Sequence, residues 1–189
     1  MDRRAYVLVD RDGTLLHDPG YLHRIADYAP LAGVIEGLRL LREAGFGIVV
    51  LTNQSGIGRG YFSEQDFQRL QAHLVADFAA QGLQIDATYF CPHTPDAGCD
   101  CRKPATGLVE RARREFDIDL ERSLIIGDKP DDMELARRAG CRGVYVLTGQ
   151  GASLREALPS EVPVVDDLLA AARHILACGA KNSSATKPR

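Results

Sequence analysis

Short apolar runs alternate along this chain with segments of helical periodicity, and that alternation restricts the fold more than any other feature. Residues 5–9, 47–51, 87–90, 124–126 and 143–146 form strand-length apolar runs, with a weaker pair at 164–165. A strand apolar on both sides must be covered on both sides, the environment of a parallel sheet under two layers of helices. Between the runs, Val34, Leu38 and Leu41 recur with the spacing of one helix face, and Gly45 follows as a stop. Ser63 reads as a helix N-cap with Asp66 at the third helical position, opening a helix striped by Phe67, Leu70, Leu74 and Phe78. Further helices are expected at 107–116, 131–139 and 167–176. The expected architecture is therefore α/β: a doubly wound, Rossmann-like parallel sheet with helices on both faces. It forms one domain over residues 1–179, and the polar stretch 180–189 is expected to be a disordered tail.

In such sheets, ligands bind outside the carboxyl ends of the strands. Four polar loops fall there, at residues 10–14, 52–60, 91–103 and 127–132. The first reads Asp10-Arg11-Asp12-Gly13-Thr14. In extended chain, residues two apart project to the same side, so Asp10 and Asp12 share a pocket while Gly13 turns the backbone away. One carboxylate can act as a nucleophile or metal ligand, and its neighbour can carry protons. A helix–loop–helix calcium loop would need glycine at its sixth position, whereas Gly13 is at the fourth and follows a strand.

The second loop offers Thr52 and Asn53 as donors to an anion. Its glycines at 56, 58 and 60 invite a dinucleotide reading, which fails because the third comes one position early and no helix starts directly after it. Arg59 reads equally well as an anion contact or as surface. In the third loop, Arg102 and Lys103 supply the cations that a phosphate substrate needs. In the fourth, Asp128 ends a strand beside Lys129, and Asp131 or Asp132 is expected to cap the next helix. Asp128 with Asp10 makes an all-oxygen, hard-cation site suited to magnesium.

Cysteine usage adds a second metal. Three of the five cysteines crowd between Cys91 and Cys101, in a stretch broken by Pro92, Pro95 and Gly98. Cys91, His93, Cys99 and Cys101 together are the donor set of a closed tetrahedral zinc site, with no open position and hence a structural role. Cys141 and Cys178 are expected to be buried thiols. Odd cysteine number, the absence of a leader pattern at the N-terminus and of any membrane-length apolar run point to a cytoplasmic protein. The net charge is −3, with Lys181, Lys187 and Arg189 at the very end, so the remainder is more acidic still. That balance argues against a nucleic-acid partner. A monomer is the default expectation.

Taken in order, the four loops resemble the motifs of the haloacid dehalogenase-like (HAD) phosphohydrolases: Asp10 to Thr14, Thr52 with Asn53, Lys103, and Gly127-Asp128 with Asp132. Within that superfamily, residues 52–57, the cysteine loop running into Arg102-Lys103-Pro104, and Gly127-Asp128-Lys129 resemble the subgroup of heptose-bisphosphate and histidinol-phosphate phosphatases. The resemblance implies that Asp10 is the nucleophile, Asp12 the acid/base, and Thr52 and Lys103 the phosphoryl contacts. It also implies magnesium on Asp10, Asp128 and the Asp12 backbone carbonyl, with Lys129 and Asp132 in support. The implied substrate is a small phosphorylated metabolite: a heptose 1,7-bisphosphate losing its C7 phosphate on the way to nucleotide-activated heptose for lipopolysaccharide and other surface glycans. Histidinol phosphate is the alternative, and a non-catalytic phosphosugar-binding protein a more distant one. Arg59 and Arg102 at the cleft mouth suit a second phosphate. The segments between Asp12 and Val34 and between Cys91 and Gly107 are too short for a separate cap domain, so an open cleft is expected.

Overall fold

The computed structural model describes residues 3–183, and side-chain environments through residue 178. Six strands, β1 (Tyr6–Val9), β2 (Gly47–Asn53), β3 (Ala87–Cys91), β4 (Leu124–Gly127), β5 (Arg142–Val146) and β6 (Val164–Val165), form one sheet in the order β3-β2-β1-β4-β5-β6. Every pairing is parallel. The chain winds outward from β1 to β3, then returns to the other side of β1 for β4. The carboxyl end of β1 is therefore the switch point at which such sheets open a crevice. Register brings the loops together there, because Val9 pairs with Val50 on one side and Ile126 on the other.

The apolar strands are covered on both faces. Val7, Val9, Ile48, Val50 and Ile126 face one core layer, built with α1 (Val34–Glu43), α3 (Glu64–Ala80) and α7 (Leu168–Ser183). The alternate residues Tyr6, Leu8, Val49, Leu51 and Ile125 face the other, under α4 (Gly107–Glu115) and α5 (Pro130–Ala139). Two faces buried along one strand explain why these runs show no polar alternation. Ser63 caps α3 as expected: its hydroxyl accepts from the Asp66 N–H at 3.1 Å, and its own N–H donates to Asp66 Oδ2 at 2.8 Å.

Some boundaries differ. Neither Asp131 nor Asp132 caps α5; Lys129 holds that position, and Asp132 lies a turn inside with its carboxylate accepting the Lys129 N–H at 3.2 Å. Two four-residue helices, α2 (Ser55–Gly58) and α6 (Gly151–Leu154), are too short to leave a periodic signal. Helix α7 continues through Ser183 into the stretch expected to be a tail, and residues 184–189 lie outside the described residues. Between β1 and α1, and between β3 and α4, the only regular elements are single 3₁₀ turns at Ile25–Asp27 and Pro95–Ala97, so no cap covers the crevice. Among the described residues, no helix is long and apolar enough to cross a membrane.

Candidate active site

Asp10 leaves β1 at the switch point, its N–H still tied to the Ile126 carbonyl of β4 at 2.9 Å. Lys103 arrives from the loop after β3 and buries its ammonium among acceptors. Its Nζ donates to Asp10 Oδ1 at 2.6 Å and to the Leu51 carbonyl at 2.9 Å. Asp132 Oδ1 lies 2.7 Å from the same Nζ, a second buried ion pair. Burial pushes the Asp10 carboxyl up, but the charges of Lys103 and Lys129 outweigh it and hold Asp10 below the usual carboxylate range. Asp10 is thus ionised and available as a nucleophile.

Asp128 and Asp132 behave differently. Burial, reinforced by the charge of Asp10, pushes Asp128 up to about 7. Burial also raises Asp132, to about 6, against the opposing pull of Lys103. Oxygens of Asp10, Asp128 and Asp132 lie within 4.8 Å of one another, all three side chains buried. Crowded, desolvated carboxylates of this kind suit a hard divalent cation, which removes their mutual repulsion. Gly13 makes the crowding feasible: its φ is +90°, and a Cβ there would lie 2.3 Å from Asp128 Oδ2.

Asp12 is held by groups that single out no motif in the sequence. Arg11 Nε donates to Oδ1 at 2.7 Å and Nη2 to Oδ2 at 2.9 Å, while Gln54 Nε2 donates to Oδ2 at 2.7 Å. The same Gln54 nitrogen donates to the buried Thr52 hydroxyl at 2.8 Å. One signal for Arg11 was present, since a charged residue between two cleft-facing acids points into the core and must find a partner there. These groups open onto a cavity of about 320 Å³ walled by Asp10, Asp12, Thr52, Arg102, Lys103 and Lys129. A larger cavity, about 570 Å³, lies against α5 and the segment through Pro159 and Pro163, and contains none of the predicted site residues.

Beside the site, the cysteine loop gathers its four expected donors. Cys91 Sγ lies 3.1 Å from Cys101 Sγ and 3.6 Å from Cys99 Sγ, and His93 Nδ1 is 3.2 Å from Cys101 Sγ. A tetrahedral zinc–thiolate site has sulfur–sulfur edges of about 3.8 Å, so the donors already stand near the geometry of a shared ion. Burial raises the Cys91 thiol, whereas N–H bonds from Arg102 and Cys101 and contacts with the other thiols overcome burial at Cys99 and bring it down to about 7. Cys141 and Cys178 stand apart and are half-buried rather than buried, with burial pushing Cys141 up to about 11.

Comparison with known proteins places this geometry. A HAD-hydrolase-like family model matches residues 100–171. A Pseudomonas aeruginosa protein named D-glycero-beta-D-manno-heptose-1,7-bisphosphate 7-phosphatase is 37% identical over 92% of this chain and 98% of its own length. The chain belongs to the HAD-like hydrolases. Another relative, from Photorhabdus laumondii subsp. laumondii and named for the alpha anomer of the same bisphosphate, is 39% identical over 77% of this chain and 84% of its own. The crystal structure of D,D-heptose 1,7-bisphosphate phosphatase from B. bronchiseptica, complexed with magnesium and phosphate, aligns with a TM-score of 0.85 and 32% identity. That match covers 92% of this chain and 98% of the other.

The HAD-like frame also shows where the remaining predicted residues lie. Asn53 lines the cavity and clasps the Lys103 backbone, accepting its N–H at 3.0 Å and donating to its carbonyl at 3.1 Å. Arg102 lines the cavity too, and its Nη1 is buried without a partner among the described residues. Arg59 is exposed at the end of α2 and is absent from the cavity wall. Lys129 lines the wall, where burial lowers its ammonium but the charges of Asp10 and Asp128 raise it further.

Proposed function

We propose that this chain hydrolyses the C7 phosphate of D-glycero-D-manno-heptose 1,7-bisphosphate through an aspartyl-phosphate on Asp10. The observation that carries the reading is the Lys103-held, ionised Asp10 facing Asp12 across one cavity, in a chain 37% identical to a named heptose-bisphosphate phosphatase over nearly its whole length.

The chemistry follows from the donors and acceptors. An Asp10 oxygen attacks phosphorus while the bond to the sugar oxygen breaks, and Asp12 gives that oxygen its proton. Asp12, now a carboxylate, takes a proton from water, whose oxygen attacks phosphorus. The acyl-phosphate bond breaks, its electron pair returns to Asp10, and inorganic phosphate leaves. Lys103 and the Thr52 hydroxyl stabilise the charge on the phosphoryl oxygens. Asp10, Asp128 and the Asp12 carbonyl would hold magnesium, with Asp132 and Lys129 beside them, and the ion would neutralise the carboxylates facing the phosphate. Zinc on Cys91, His93, Cys99 and Cys101 would stiffen the loop that delivers Arg102 and Lys103. Arg102, its Nη1 free of partners among the described residues, would meet the second phosphate; Arg59 could join only from outside the wall.

The small open site and acidic charge balance favour a free metabolite over a polymer, and free thiols at the metal loop favour a cytoplasmic protein. Steady-state kinetics on both anomers of the heptose bisphosphate and on histidinol phosphate test the assignment. A kcat/KM for histidinol phosphate equal to that of the better heptose anomer would replace the substrate named here.

A further inference from the structure

Arg11 and Gln54 carry no role in the steps above, yet they make the densest polar contacts in the site. Arg11 is fully buried, donates to both Asp12 oxygens and to the Leu22 carbonyl at 3.1 Å, and lies 5.1 Å above the Phe67 ring. Gln54 is also buried, and comes from the loop after β2 rather than β1. An amide nitrogen has two hydrogens, and here one goes to Asp12 Oδ2 and the other to Thr52 Oγ1. A single side chain therefore joins the hydroxyl that meets the phosphoryl group to the carboxylate that moves the proton.

We propose that Gln54 is a positioning residue that sets Thr52 and Asp12 in register with one another, using buried Arg11 as the fixed anchor. The proposal rests on the phosphatase reading above. A threonine hydroxyl that accepts from Gln54 must turn its own hydrogen away, toward the cavity and an incoming phosphoryl oxygen. The Asp12 carboxylate accepts three charge-assisted or amide bonds from two directions, which selects one rotamer among several. Arg11 sets the orientation from the core side, and Gln54 ties that orientation to the phosphate contact.

The test uses Gln54→Met, which keeps the length of the side chain and removes both donors. Release of p-nitrophenolate from p-nitrophenyl phosphate is followed before and through steady state, for wild type, Gln54→Met, Asp12→Asn and the double variant. This leaving group departs without a proton, so aspartyl-phosphate formation remains visible when Asp12 is impaired. Gln54→Met is expected to show a burst of about one product per active site, then a steady rate reduced roughly 10- to 100-fold, with KM falling alongside it so that kcat/KM is little changed. In the Asp12→Asn background the same substitution is expected to cost much less than in wild type, because the larger part of its effect passes through Asp12 and only the part carried by Thr52 remains. A purely structural role would lower burst amplitude with the folded fraction and leave the rate per site alone. Equal fold-losses in both backgrounds, or an unchanged steady rate, overturn the proposal. Should Gln54→Met not fold, Gln54→Asn, whose shorter amide reaches only one of the two partners, enters the same comparison with the same criteria. Wild-type protein inert toward p-nitrophenyl phosphate and heptose bisphosphate alike overturns the phosphatase reading and this proposal with it. An active wild type with additive losses overturns only the role of Gln54.

Discussion

Replacing Lys103 with methionine keeps most of the side-chain volume and removes the charge that two buried carboxylates share. Nζ lies 2.6 Å from Asp10 and 2.7 Å from Asp132, with both carboxylates essentially inaccessible to water. Breaking a buried ion pair by deleting one partner costs about 3–5 kcal/mol, since the remaining charge has no solvent to turn to. For a domain of this size each kcal/mol moves Tm by roughly 2–4 °C, so a fall of roughly 6 to 20 °C is expected. The sign with pH follows from the individual groups. Asp10 is held below its ordinary 3.8, so its ionisation stabilises the wild-type fold above that value, and the contribution is lost as pH falls through the depressed native pKa. Asp132 and Asp128, raised to about 6 and about 7, favour the fold at low pH and lose that contribution as pH rises through those values. Without Lys103, Asp10 joins the raised group, so the cost of the substitution is greatest near about pH 8 and smaller near about pH 5. Thermal melts of wild type and Lys103→Met at both pH values, without added magnesium, measure it. A loss under about 1 kcal/mol near pH 8, the range of an exposed pair, or a loss that ignores pH, would refute the reasoning.

Asp10→Asn is expected to abolish turnover in a protein that still folds cooperatively; measurable phosphate release by the pure variant would remove Asp10 as nucleophile. Elemental analysis of purified protein is expected to show one zinc per chain, and Cys99→Ser to lower both zinc content and kcat by loosening the loop that carries Lys103; a folded, fully active, zinc-free protein would contradict this. Gly13→Ala adds a methyl 2.3 Å from Asp128 Oδ2 at a positive φ, so strain and overpacking together are expected to cost roughly 2–5 kcal/mol by urea unfolding, and magnesium dependence is expected to weaken.

The strands were legible because burial on both faces writes an uninterrupted apolar run, and the Ser63 cap because its partner is only three residues away. The clustering of Asp10 with Asp128, and of Cys91, His93, Cys99 and Cys101 with one another, was legible for a similar reason: each residue sits at a strand end or within one short loop. What local pattern could not convey was the choice of partner across the chain. Asn53 looked like an anion donor from its neighbours, yet both ends of its amide engage a backbone fifty residues on. Gln54 and Arg11 meet only after β1 and β2 pair in register. Arg59 follows the right strand but emerges from α2 turned to solvent, a direction that proximity in sequence does not encode.

The β1 strand has a hydrogen-bonded neighbour on each side, and the Asp10 amide remains tied to β4. Asp10 is in this sense the origin of the site's coordinate frame, anchored at the centre of the sheet. The segments between Asp12 and Val34 and between Cys91 and Gly107, which supply part of the cavity wall, hang from that frame without being part of it. Lengthening or reshaping them is expected to alter which leaving group is admitted while Asp10 stays where it is, so that substrate choice and the chemistry proposed for Asp10 can change separately.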